Sequence, residues 1–359
     1  MKAKMIFLSY LDISYSRSSV YLDENNFTHF SQSFFKIDLP ILSACKKLWS
    51  IRNLLRESNT VIIIMNPCHI FAPIVRFITN QTIILDAGWP LSDSKSTSKS
   101  LIQRSFKQLT NNVLDYLALN SATCVLMESE AQIHQTAKKF GICQKKMIRI
   151  FTGLNESLYK SKINSHEQKI KILADLGVKK ESGYIFFRGK FTKESGLEMI
   201  SHLSMNLLSH LQFVILTNRI PNKLVFGENV LVLTGHLSES QISALYFGAS
   251  VCIGQLSDDK RLLKTIPHKA FEAGFFGKPY VTVDTGSMRE LYPFSNQVAY
   301  ITFFNEIETA KIINSLHENN KLKKTYSINI MKQYNKVANQ AILQKKFNDV
   351  AYSLVQFKK

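Results

Sequence analysis

Glycine is scarce in this chain, 14 of 359 residues, and none of it falls in a G-x-G-x-x-G or G-x-x-x-x-G-K-[ST] run. Phosphate cradles of the dinucleotide-fingerprint and Walker kinds are therefore disfavoured. The five cysteines, at positions 45, 68, 124, 143 and 252, include no C-x-x-C pair. That argues against a zinc ribbon or a disulfide framework and fits reduced cytosolic thiols. Acidic residues are outnumbered 27 to 45, which leaves a net charge of +18. Residues 1–155 carry 18 Lys+Arg against 10 Asp+Glu and the remainder 27 against 17, so the excess is spread over both halves. Such a field attracts nucleotide sugars, acidic lipid headgroups or nucleic acid without choosing among them. No stretch approaches the roughly 20 apolar residues that span a bilayer. The apolar run near Met1 is too brief for a signal segment, and Asp12 soon follows; a first strand explains it better. The expected location is the cytoplasm, either free or peripheral on the inner face of the membrane.

What is present suffices for packed cores: 45% hydrophobic and 11% aromatic residues, over a length that suits two domains. Short, mostly apolar runs alternate with helical stretches. In the first half they are Met5–Ser9, Val61–Met65, Thr82–Leu85, Thr123–Met127 and Met147–Ile150, with helix candidates at 41–57, 68–79, 98–119 and 129–140. Near-continuous apolar runs of this length fit strands buried on both faces of a parallel sheet. The second half repeats the theme with Tyr184–Phe187, Phe213–Leu216, Asn229–Leu233, Ser250–Ile253 and Tyr280–Val283. Ser129 to Gln132 and Ser238 to Gln241 read as capping boxes. The pattern predicts an α/β protein of two Rossmann-like doubly wound domains. The expected division is a first domain over 1–155, a polar linker over 156–180, a second domain over 181–324, and a basic helical segment over 325–359.

The segment from Thr265 to Asp284 carries the most chemistry. It reads as a short helix opened by Pro267, a glycine turn at Gly277 and a buried strand. Proline suits a first helical turn because its missing N–H would be unpaired there. The free N–H groups of such a helix favour an anion; Lys269 adds a cation, and Glu272 follows. Upstream, Arg188-Gly189-Lys190-Phe-Thr-Lys193-Glu-Ser195-Gly196 leaves the first strand of the second domain with three cations. The loop from Gly254 to Arg261 is polar and follows another strand. Its Asp258 and Asp259 read as a turn rather than a metal pair.

The run Pro267, Lys269, Glu272, Ala273, Gly277, Pro279, Val281 resembles the "P-x-K-x-x-E-A-x-x-x-G-x-P-x-V" signature of retaining, family-4-like glycosyltransferases of the GT-B fold. Gly189, Lys190 and Gly196 similarly resemble that family's "G-R-L-x-x-x-K-G" loop, and Phe151 to Asn155 its exit into the linker. The resemblance implies two domains facing a cleft and a UDP- or GDP-sugar donor. It also implies transfer to a hydroxyl acceptor, which in many members is lipid-linked, as in polysaccharide biosynthesis. Under it, Lys190, Lys193 and Arg188 hold the diphosphate, the helix start at Pro267, His268 and Lys269 assists, and Glu272 accepts from the ribose. Fixed cations at the leaving oxygen stabilise the transition state. No metal or other cofactor is expected. Two positions depart from the family: Lys264 stands where a second Glu is usual, and Ser195 where a Lys is usual. A catalytically silent scaffold is thus one alternative. A basic nucleic-acid-binding protein is another, but no helix-turn-helix or basic-aromatic surface is legible, and nucleic acid is not an expected partner.

In the first domain Asp86 closes a strand, where it either contacts the transferred sugar or caps the following turn. Trp89 either offers an acceptor platform or is buried, and Tyr10 opens a polar, aromatic loop running to Ser19. Lys46 to Arg56 mixes cations with Leu48, Trp49, Ile51, Leu54 and Leu55. Such a helix either packs on the sheet or lies on an anionic membrane surface.

Overall fold

A computed structural model describes residues 3–11, 17–21, 30–37, 41–93, 101–160, 165–179, 183–220, 224–303 and 305–356. The chain divides into two compact units: residues 1–153 with 340–359, and residues 154–339. Each is built on one six-stranded, all-parallel sheet.

The first sheet holds β1 (Ala3–Ser9), β2 (Phe30–Lys36), β3 (Thr60–Met65), β4 (Thr82–Gly88), β5 (Cys124–Met127) and β6 (Met147–Arg149), in the order β2-β1-β3-β4-β5-β6. Its central strands β3, β4 and β5 are buried at every position, which is why they read as mostly apolar runs, broken in β4 by Asp86. The helices are α1 (Ser18–Tyr21), α2 (Ile41–Ser50), α3 (Arg52–Arg56), α4 (Phe71–Ile78), α5 (Leu101–Ser121) and α6 (Glu130–Phe140). Ser129 caps α6 by accepting from the Gln132 amide, and Gly141 ends it in the left-handed region. The expected helix over 41–57 breaks at Ile51 into α2 and α3. Of the expected helix over 98–119, residues 98–100 lie outside the described residues, as do 12–16 of the loop after β1.

The second unit holds α7 (Ser157–Lys160), α8 (His166–Asp175), β7 (Tyr184–Arg188), α9 (Leu197–His202), β8 (Phe213–Thr217), β9 (Val230–Thr234), α10 (Glu239–Gly248) and β10 (Ala249–Ile253). It continues with α11 (His268–Phe275), β11 (Tyr280–Val283), α12 (Gly286–Leu291), β12 (Ala299–Ile301), α13 (Glu306–Glu318) and α14 (Asn320–Val337). Its strand order is β12-β11-β10-β7-β8-β9. Ser238 and Gln241 form a capping box at the start of α10. The edge strands β2 and β12 were not legible as strands.

The stretch 156–180 is not an open linker where it is described. It supplies α7 and α8, and α8 packs on α10 within the second unit; residues 161–164 and 180 lie outside the described residues. Position 325 is no boundary either, because α14 runs across it and packs on α11. The last helix, α15 (Gln340–Gln356), belongs to the first unit. There Phe347 stacks on Tyr21 at 4.6 Å and leans on Phe7 at 6.0 Å between ring centroids.

Candidate functional site

In a doubly wound sheet, ligands bind beyond the carboxyl ends of the strands at the point where strand order reverses. In the second unit that point lies between β7 and β10. Strand β7 ends on Arg188, and the turn through Gly189 and Lys190 leads to Gly196, whose φ of +68° lies in the left-handed region. A Cβ on Gly196 would stand 2.7 Å from the Leu256 carbonyl carbon, so only glycine lets this turn meet the loop after β10. The two loops are then tied together. Ser257 Oγ donates to the Glu194 carbonyl at 3.0 Å, and Arg261 donates twice to the Glu194 carboxylate at 3.1 and 3.2 Å. Lys190 and Lys193 remain exposed on this turn. Lys193 also lines a cavity of about 310 Å³ with Gly196, Met199, Leu256, Ser257 and Phe303.

Helix α11 comes up beneath the turn. Pro267 is the residue before its first helical position rather than within the first turn, and no side chain caps the helix start. Lys269, buried to 7% exposure, points back at the turn. Its Nζ donates to Gln255 Oε1 at 3.2 Å, sits 3.7 Å from the centroid of Phe187, and would lie 2.9 Å from a Cβ on Gly189. Burial pushes the Lys269 amine down to about 7, with Glu272 opposing and Arg188 adding to the fall.

Glu272 does not offer its carboxylate to solvent; its side chain is 2% exposed. Oε1 meets Arg188 Nη1 and lies 3.4 Å from His268 Nδ1, while Oε2 accepts from the Tyr246 hydroxyl at 2.6 Å. Burial alone would raise this carboxyl, but Arg188, with His268 and Tyr246, holds it well below the usual carboxylate range. Arg188 also reaches the Tyr159 hydroxyl at 3.5 Å and is partly exposed, and His268 is exposed. The structure thus brings Arg188, Gly189, Lys190, Pro267, His268, Lys269 and Glu272 together around one turn. Lys264 is half-buried, and its amide donates to the Arg261 carbonyl at 3.1 Å. Ser195 is buried, with its hydroxyl on the Thr192 carbonyl at 2.6 Å.

Sequence reasoning missed Tyr246 and Tyr159, the hydroxyl partners of the Glu272–Arg188 pair. Tyr246 reads as one more apolar-face residue of α10. No local sequence signal could have found it: the aromatics around it, Phe276 stacked at 4.6 Å and Phe186 edge-on at 5.0 Å, are brought in by the fold.

In the first unit the reversal falls between β1 and β3. Tyr10 sits there, half-buried, its amide donating to Cys68 Sγ at 3.3 Å. Asp86, near the end of β4, is fully buried, 3.3 Å from Nη1 of the buried Arg17. It caps no turn: the turn after β4 is held by Asp115, which accepts from the Leu91 and Ser92 amides at 2.9 Å each. Burial raises the Asp86 carboxyl, and Arg17 opposes the rise. Arg17 also donates to the Ile150 carbonyl at 2.8 Å and the Tyr21 hydroxyl at 3.0 Å; nothing in the sequence singled it out. Trp89 is half-buried. Among the described residues, no group of three or more His, Cys, Asp or Glu side chains could hold a metal ion. No helix among them is long and apolar enough to cross a membrane.

Two six-stranded parallel sheets, each wrapped by helices in doubly wound order, define the GT-B fold, and the solved structures this chain resembles are GT-B glycosyltransferases. HepE from Anabaena in complex with UDP-glucose aligns over 98% of this chain and 99% of its own, at 14% identity and a TM-score of 0.74. A glycosyltransferase from Rickettsia africae aligns over 99% of each chain, at 14% identity and a TM-score of 0.73. Sucrose-phosphate synthase from Thermosynechococcus elongatus aligns over 98% of this chain and 99% of its own, at 11% identity and a TM-score of 0.66. At such identities the likeness establishes the fold. No sequence-family model matches the chain, and no curated protein matches it in sequence.

Proposed function

We propose that the protein is a glycosyltransferase that moves a sugar from a UDP- or GDP-linked donor to a hydroxyl acceptor with retention of configuration. One observation carries this reading: Arg188, Lys190 and Lys269 gather with the uncapped start of α11 around the Gly189 turn, at the switch point of the second sheet. Peptide N–H groups and fixed cations there suit a diphosphate, and they stabilise the charge that grows on it as the sugar–phosphate bond breaks. Lys193, exposed on the same loop, adds a further cation. The cations of the chain, rather than a bound metal or other cofactor, carry the diphosphate charge in this proposal. The departing phosphate oxygen takes the acceptor proton on the face it leaves, which accords with retention.

Glu272 acts here by fixing Arg188 and His268, whose exposed edges meet the nucleotide, rather than by holding the ribose itself. Asp86, near the carboxyl end of the interior strand β4, positions Arg17 there, and Tyr10 and Trp89 contribute to the acceptor side. The complexes of HepE with UDP and with UDP-glucose support a nucleotide-sugar donor for this chain as well.

The test is a donor panel. UDP- and GDP-sugars should raise the melting temperature while oligonucleotides do not, and release of nucleoside diphosphate should follow donor and acceptor addition. A donor that stabilises without turning over under any acceptor would favour a silent scaffold, consistent with Ser195 and Lys264.

A further inference from the structure

Helix α5 carries an apolar stripe that its own unit leaves uncovered. Ile102, Phe106, Leu109, Val113 and Tyr116 follow one another at alternating steps of four and three, the spacing of one helix face. They are 82%, 72%, 61%, 49% and 49% exposed. The opposite face, through Asp115, Ala118 and Leu119, is buried against the unit. Residues 94–100, which lead into the helix, consist only of Ser, Thr and Lys, so they bring no large apolar side chain to cover the stripe.

Charge is absent from this face, although the chain carries +18. At 3.6 residues per turn, Gln103 and Thr110 border the stripe on one side, and Ser105 and Asn112 on the other. The exposed cations of the helix, Arg104 and Lys107, fall about 140–200° round from its centre. A partner of opposite charge finds nothing here to pair with. Two copies of a basic chain repel wherever their cations face each other, so a contact between them needs a face free of charge. An apolar centre holding Phe and Tyr within an uncharged polar rim is the anatomy of a protein–protein interface.

The stripe is also self-complementary. Leu109 lies midway in sequence between Ile102 and Tyr116. An antiparallel two-fold crossing at Leu109 therefore sets Ile102 beside Tyr116 of the second copy, and Phe106 beside Val113 of the second copy. A large side chain meets a smaller one at each step, which suits two closely packed helices. The exposed surface of these five residues comes to on the order of 600 Å² per copy, and twice that is the size at which specific interfaces begin.

We propose that the chain forms a two-fold dimer through the outer face of α5, with Leu109 on the axis. The proposal does not depend on the donor reading, because association is measured without nucleotide.

The experiment is sedimentation equilibrium of the full-length chain. The wild type should run as a dimer at micromolar concentrations. Leu109→Lys and Leu109→Glu should each weaken the pair by about a hundredfold or more, because each sets like charges against one another across the axis. Their circular-dichroism spectra should match the wild type, since Leu109 is exposed. Mixing the two variants should restore the dimer, an outcome that only a contact of position 109 with its own copy explains. The proposal is overturned by a wild type that stays monomeric, by a dimer that Leu109→Lys leaves intact, or by mixed variants that fail to pair. A monomeric wild type that floats with phosphatidylcholine vesicles, and loses that binding on Leu109→Lys, would assign the stripe to a lipid surface instead.

Discussion

Arg188 and Glu272 lie 84 residues apart in the chain and meet as an ion pair beneath the turn that follows β7. The carboxylate is enclosed, whereas the guanidinium keeps an exposed edge. The pair therefore serves both the fold and the site: Glu272 is the anchor, and Arg188 the group that can face a ligand.

Glu272→Ala should therefore destabilise the second unit, because it strands a guanidinium and the Tyr246 hydroxyl without their acceptor. Breaking a buried pair from one side costs about 3–5 kcal/mol, and the partial exposure of Arg188 puts the expectation at the low end. Replacing both members together, as Arg188→Met with Glu272→Met, should recover much of that loss. Urea unfolding of the two variants measures the difference. A fully stable Glu272→Ala would return Glu272 to the role of a ligand-facing group.

Changing Lys190 and Lys193 together to Ala should leave the melting temperature unchanged, since both side chains are exposed. Turnover should fall by about a hundredfold, the scale of losing preorganised charge at a leaving group. Near-normal rates in steady-state assays would move the diphosphate onto Arg188 and Lys269 alone.

Lys269 gives the site a pH dependence with a definite sign. Its folded pKa of about 7 lies below the ordinary lysine value, so between the two the unfolded chain holds the extra proton and this group's contribution to stability rises with pH. An anion at the Gly189 turn should restore the charge. Binding of a nucleoside diphosphate at about pH 8 should then take up about one proton per site, read by calorimetry in buffers of different ionisation heat. Lys269→Met should abolish the uptake; uptake unchanged in that variant would assign the proton elsewhere.

Gly196→Ala should cost more than a left-handed φ alone, which is about 1–2 kcal/mol, because its Cβ also collides with backbone at Leu256. Thermal unfolding measures the loss, and donor affinity should fall with it as the two loops are forced apart. A variant with wild-type stability and affinity would show that this close approach is dispensable.

The sheets were legible where burial is complete. Val61 to Met65 is apolar at every position because both faces of β3 are covered. Strand β2 escaped notice because Phe30–Lys36 lies at a sheet edge and mixes Phe with Ser, Gln and Lys, leaving no apolar run. Strand β12 has only three residues, too few for any period. At the site, the positions of Gly189, Lys190, Pro267 and Lys269 could be read from their place at strand ends and a helix start. Which groups neutralise one another could not: the partners of Glu272 come from β7, α10 and α11, and that of Asp86 from the segment before α1. Such pairings depend on how the strands are ordered, which local pattern does not encode.

The central claim is that a nucleoside diphosphate binds at the β7–β10 switch point. Calorimetric titration of UDP and GDP into the wild-type chain and into the Lys190→Ala, Lys193→Ala variant tests it most directly. Saturable binding of at least one of the two by the wild type, weakened about tenfold or more in the equally stable variant, is the predicted result. Binding of neither nucleotide by a folded wild-type chain, or binding equally tight in the variant, would contradict it.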